Sequence, residues 1–148
     1  MTVRGFDHVS LPTGDPEACI DFYRRLGFNI LYEMEWRAGD SQLFAIQVGE
    51  HSKINVHPPK LWQNPKFEAR GPTAKPGCGD FCFFFDGSLE AAEKLIVDAG
   101  SEVIFGPYDQ KGGGQAGQRQ GTSIYCRDPD GNLLEFMTYP VRGDTDSD

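Results

Sequence analysis

One pattern occurs twice in this chain. Residues 5–11 (Gly-Phe-Asp-His-Val-Ser-Leu) read as a short strand, Asp15 as the cap of a helix with Pro16 at its first position, and Gly27 as the helix stop. Ala18, Phe22 and Leu26 lie between them at helical spacing, and residues 28–32 resume as a strand. The second half repeats the series with a strand at 79–85, a cap at Ser88, Ala92, Leu95 and Ile96 on one helix side, a stop at Gly100 and a strand at 103–105. His8 and Asp80 are 72 residues apart, and Gly27 and Gly100 are 73 apart. A nearly constant offset across strand, cap and stop marks an internal repeat.

Each half closes on two more strands, 42–48 and 53–57 in the first, 122–127 and 132–138 in the second. The last two are joined by Asp128-Pro129-Asp130-Gly131, strong hairpin punctuation. The expected fold is α+β, with two βαβββ modules at about 5–58 and 78–140, a linker at 59–77 rich in Pro, Lys and Gly, and a disordered acidic tail at 141–148. One module cannot cover both faces of its sheet. The two are therefore expected to pair curved mixed sheets around a common trough, as a single domain over 1–148.

Side chains on a strand alternate between faces. The faces away from the helices are expected to carry His8 in the first strand, His57 in the fourth, Asp80 at the start of the second half and Glu135 in the last strand. Two imidazoles and two carboxylates suit a borderline divalent cation: Zn, Ni, Fe(II), Co or Mn. A charge such as Glu135 between Leu134 and Phe136 needs a partner. Phe6, Cys82, Phe84, Leu133 and Met137 would form an apolar wall beside it.

Composition removes other classes. A net charge of −8 argues against a nucleic-acid partner. No apolar run approaches the roughly 20 residues that span a bilayer, and no apolar stretch follows the basic start of a signal, so the cytoplasm is the expected location. None of Cys19, Cys78, Cys82 and Cys126 forms a Cys-x-x-Cys pair; buried or half-buried free thiols are expected rather than a zinc finger or disulfides. Residues 111–121 (Lys-Gly-Gly-Gly-Gln-Ala-Gly-Gln-Arg-Gln-Gly) lack the ending of a phosphate loop. They read as a connector, or else as a lid with Arg119 meeting an anionic group.

Three segments carry a resemblance: Phe6-Asp7-His8-Val9, the run from Asp21 to Phe28, and Arg127-Asp128-Pro129-Asp130-Gly131-Asn132-Leu133-Leu134-Glu135-Phe136. Over about residues 5–140 the chain resembles the vicinal oxygen chelate superfamily, the glyoxalase/bleomycin-resistance/extradiol dioxygenase fold. The small proteins of the glyoxalase domain-containing protein 5 type look nearest, through the context of Asp80 from Cys78 to Cys82 and the run from Ser123 to Asp130. The resemblance implies metal ligands at His8, His57, Asp80 and Glu135. Histidine is usual at the place of Asp80 in glyoxalase I and the dioxygenases; without Asp80, a two-His-one-carboxylate set remains.

It also implies a divalent-metal-dependent enzyme acting on a small molecule with vicinal oxygens, by Lewis-acid stabilisation of an oxyanion or enolate. The reaction would be of lyase, isomerase or dioxygenase type, with Glu135 or Asp80 free to act as base. Arg37 is one basic residue that would meet a glutathione carboxylate if the activity were that of glyoxalase I. The alternative is a bleomycin-resistance-like protein that sequesters a small molecule without turnover. Either form is expected as a homodimer.

Overall fold

The structure is a computed structural model and describes residues 2–140, so the expected tail lies outside the described residues. The chain divides into two compact units. Among the described residues, unit 1 holds residues 2–79 together with the turn Asp128–Asn132, and unit 2 holds Asp80–Arg127 and residues 133–140.

Unit 1 contains β1 (His8–Pro12), α1 (Pro16–Arg25), β2 (Ile30–Leu31), α2 (Glu33–Ala38), β3 (Phe44–Val48), β4 (Ser52–His57) and α3 (Pro59–Trp62). Its sheet runs β1-β4-β3-β2, with β1 parallel to β4 and the other pairs antiparallel. The helix forms where the sequence places it. Asp15 has extended backbone and accepts from Ala18 N at 3.1 Å, which satisfies one of the orphan donors of the first turn. Cys19, Ile20, Phe22 and Tyr23 on α1 are buried, as are Leu11, Phe44, Ile46, Ile54 and Val56 on the strands, and together they form the core of unit 1. Fully burying each large side chain contributes about 1.5–3 kcal/mol.

Two expectations are corrected in this unit. β2 is two residues long rather than 28–32, because Tyr32 turns the chain with φ 62° and α2 begins at once. The expected linker at 59–77 carries α3, a helix not expected from the sequence, and lies within unit 1, which runs to Gly79.

Unit 2 contains β5 (Asp80–Phe84), α4 (Leu89–Asp98), β6 (Phe105–Lys111), α5 (Gly114–Gly117), β7 (Gln120–Arg127) and β8 (Leu133–Thr138). The order β5-β8-β7-β6 copies that of unit 1, again with its first pair parallel. Ser88 caps α4 by accepting from Ala91 N at 3.2 Å. Ala92 and Ile96 are buried together with Phe83, Ile124, Cys126, Leu134 and Phe136. β6 runs to Lys111 rather than stopping at Phe105, because Gly106 and Pro107 form a bulge inside the strand pairing: Phe105 faces Tyr125, yet Tyr108 faces Ser123. Two residues on β6, Gly106 and Pro107, thus oppose one on β7, Ile124.

Candidate functional site

In unit 2 the pleat sorts the side chains cleanly. Phe83, Leu134 and Phe136 point into the core, so Asp80, Cys82, Leu133, Glu135, Ser123 and Tyr125 share the opposite, open face. Asp80 pairs with Leu133 and Cys82 with Glu135, which sets Asp80 two positions from Glu135 on the neighbouring strand, about 7 Å along it.

Glu135 is held by neighbours on three strands. Its Oε1 accepts from Ser123 Oγ at 2.6 Å and from Gln110 Nε2, and the same Gln110 amide donates to Tyr125 Oη at 2.6 Å. Cys82 pairs in register with Glu135, and its thiol lies beside the same carboxylate. Packing around the sulfur pushes this thiol up to about 12, and the Glu135 charge adds to the effect, although the residue keeps an exposed edge. Burial and the neighbouring carboxylate thus both disfavour the thiolate of Cys82. Cys78 is also exposed, contrary to the expectation of buried thiols, while Cys19 and Cys126 are buried.

In unit 1, β1 and β4 pair His8 with Lys53, Ser10 with Asn55 and Pro12 with His57, so His8, Asn55 and His57 share one face. His8 is exposed and its Nδ1 lies 2.6 Å from Asp7 Oδ1, which leaves Nε2 directed outward. The hydrogen bond and charge of His8 hold Asp7 below the usual carboxylate range. His57 is different. It is buried, its ring stands edge-on to Phe67 at 5.2 Å, and its register lies four residues beyond that of His8, about 13 Å along the strand.

The repeat is informative at this point. Asn55 stands to His8 as Glu135 stands to Asp80, each two positions past the register partner, while His57 occupies the place of Met137. The four-fold equivalence that the sequence suggested therefore includes Asn55 and not His57. Among the described residues, the side-chain oxygen of Asn55 is the buried polar atom without a hydrogen-bond partner. A search confined to ionisable residues passes over it, although counting along the repeat finds it. What the structure brings together is two pairs, His8 with Asn55 and Asp80 with Glu135. Among the described residues, no group of three or more His, Cys, Asp or Glu side chains is gathered closely enough to hold a metal ion.

Burial, and then the Arg70 charge, lower the pKa of His57 below 6.5. The folded chain therefore favours the neutral ring, and the unfolded chain takes up the proton first on acidification. Stability that is complete above about pH 6.5 is lost as the pH falls below it. Urea unfolding of metal-free protein between pH 7.5 and 5.5 checks this: His57→Asn should show a shallower decline than the parent. An unchanged slope would assign the decline to other groups.

The other expected contacts are occupied within their own units. Arg37 donates to Glu17 Oε1 at 2.7 Å and Oε2 at 2.9 Å and also pairs with Glu33, so it is not poised for a ligand carboxylate. The Gly-rich stretch closes on itself. Gly112 N donates to Arg119 O at 2.9 Å, Lys111 Nζ to Gln118 Oε1 at 2.6 Å, and the Arg119 guanidinium lies 3.9 Å over the Tyr139 ring.

Comparison with known proteins agrees with this architecture. Residues 5–136 match the model of the Glyoxalase/Bleomycin resistance protein/Dioxygenase superfamily. The chain is 34% identical to the glyoxalase domain-containing protein RDO1 of Mycosarcoma maydis, over 94% of this chain and 70% of that protein. It is 32% identical to virulence protein STM3117 of Salmonella typhimurium, over 94% and 87%. The crystal structure of STM3117 matches with a TM-score of 0.75 at 30% identity, covering 94% of this chain and 99% of that one. A lactoylglutathione lyase from Agrobacterium tumefaciens has a TM-score of 0.65 at 19% identity, covering 93% and 95%, and shows the shared fold alone. No helix among the described residues is long and apolar enough to cross a membrane. The chain belongs to the glyoxalase/bleomycin resistance/dioxygenase superfamily.

Proposed function

We propose that this protein is a divalent-metal-dependent enzyme acting on a small substrate with two adjacent oxygens, as a lyase, isomerase or dioxygenase, and that it works in the cytoplasm as a homodimer. His8, Asp80 and Glu135 would hold the ion, with a donor from β4. The sequence nominates His57 as that donor. The repeat favours Asn55, whose amide oxygen is a fitting hard donor and is otherwise buried without a partner. One observation carries the reading: both parallel strand pairs present a donor pair in the same relative register on the open face of the sheet. The donor set is mixed nitrogen and oxygen, which suits Zn, Ni, Fe(II), Co or Mn.

When bound, such an ion supplies Lewis-acid stabilisation of negative charge developing on a substrate oxygen. The chain's own residues prepare for it. Asp7 orients the His8 imidazole, and Ser123 and Gln110 orient the Glu135 carboxylate. Asp80 is exposed, whereas Glu135 is held by protein donors, which makes Asp80 the freer carboxylate to take a proton from carbon beside a carbonyl.

Elemental analysis of protein purified without chelator tests the proposal. About one divalent ion per chain is expected, and it should be lost in His8→Ala and Glu135→Ala. The loss should be larger in Asn55→Ala than in His57→Ala if the repeat identifies the β4 donor correctly. Folded protein without metal would instead favour sequestration of a small molecule. The exposed rings of Phe84 and Tyr108 in unit 2 support that second reading, since they offer stacking surface near a carboxylate already satisfied by protein donors.

A further inference from the structure

We infer that Ser123 and Gln110 are positioning residues for Glu135, and that the β-bulge in β6 exists to bring Gln110 to that task. The inference deepens the reading of Glu135 as a metal ligand and partly rests on it. Both donors reach the same oxygen, Oε1, Ser123 at 2.6 Å from a buried position in the middle of β7 and Gln110 from β6. Two donors on one oxygen fix the orientation of the carboxylate as a whole.

Register explains why the amide is there. Phe105 pairs with Tyr125, which lies on the open face beside Glu135. Simple alternation from Phe105 would put residues 107 and 109 on that face, and Asp109 would then stand beside Glu135 as a second carboxylate. The shift between Phe105 and Tyr108 reverses the parity. Tyr108 and Gln110 take the open face, and Asp109 turns to the other, where its Oδ1 accepts from Thr122 Oγ1 at 2.7 Å. One inserted residue thus replaces a repelling acid with a donating amide.

The test uses the full chain with Ser123→Ala and Gln110→Ala, plus Gln110→Glu, which restores the acid that uninterrupted alternation would supply. Crystal structures of the metal-free variants should show the Glu135 carboxylate displaced from its parent position. Titration with Co(II), read by its visible d–d absorption, should show affinity lowered about 10–100-fold in each alanine variant, the range for residues that orient a ligand, and lowered further in Gln110→Glu. A Glu135 carboxylate that keeps its position in both alanine variants overturns the inference, whatever the metal does. If the parent takes up no cobalt but the carboxylate still moves in the variants, the positioning role stands and the metal reading falls.

Discussion

Replacing Asp128 by alanine is expected to cost about 3–5 kcal/mol, as removing one partner from a buried ionic hydrogen-bond network does. Asp128 is 5% exposed and its two oxygens serve four donors. Oδ2 accepts from Tyr23 Oη at 2.8 Å and Asn132 Nδ2 at 2.7 Å, while Oδ1 accepts from Asp130 N at 3.0 Å and Asn132 N at 2.9 Å. Tyr23 and Asn132 are themselves fully buried, so truncation removes, away from water, the carboxylate to which both donate. Beside this network, Asp130 accepts from Thr13 Oγ1 at 2.6 Å and Gly14 N at 2.8 Å. These contacts explain why the turn joining β7 to β8 belongs to unit 1 and not to the unit of its flanking strands. Tyr23→Phe should cost less, about 1.5–3 kcal/mol, because one charge-assisted bond is lost and the carboxylate keeps three donors. Denaturant unfolding midpoints check both. Equal losses in the two variants would mean that the phenol alone carries the network, and a loss below 1 kcal/mol for Asp128→Ala would remove the turn from the stability of unit 1.

The same turn shows what could be read in the sequence and what could not. Pro129 and Gly131 announce a hairpin by local chemistry, and Asp15 and Ser88 announce helix starts in the same way, so these features were legible. The partners of Asp128 were not: Tyr23 is 105 residues away, and no local signal says which tyrosine a carboxylate will meet. The missed α2 is a different failure. Glu33-Met34-Glu35-Trp36-Arg37-Ala38 are adequate helix formers ending at Gly39, but the apolar run before them reads as a longer strand, and a turn made by Tyr32 in the left-handed region has no sequence mark as clear as a glycine. The candidate site was legible as faces rather than as a set. Alternation put His8, His57, Asp80 and Glu135 on open faces, yet it cannot tell a residue two positions past its partner from one four past, because both share the face. Strand register decides that, and register is a property of the paired strands. It replaced His57 with Asn55 as the counterpart of Glu135.

Register also rests on a backbone feature that a pair of glycine variants would isolate. Gly100 and Gly106 both sit at left-handed φ, +90° and +99°, so an alanine at either is strained by about 1–2 kcal/mol. Their surroundings differ. A Cβ at Gly100 would meet nothing within 4 Å, while one at Gly106 would lie 2.6 Å from the backbone oxygen of Ser123 and 3.2 Å from the Cα of Ile124. Those atoms belong to the strand that the bulge packs against, and a backbone cannot swing aside as a side-chain tip can. Gly106→Ala should therefore cost about 1–3 kcal/mol more than Gly100→Ala, in the range for overpacking. The two should also differ in what they disturb. Pushing β6 off β7 moves Gln110 and breaks its bond to Glu135 Oε1, so Gly106→Ala should reproduce the displaced carboxylate expected of Gln110→Ala. Gly100→Ala, at the end of α4, should leave Glu135 in place. Equal destabilisation by the two alanines would mean that strain alone governs both sites. In that case the close approach of β6 to Ser123 would not be what sets the face that Gln110 occupies.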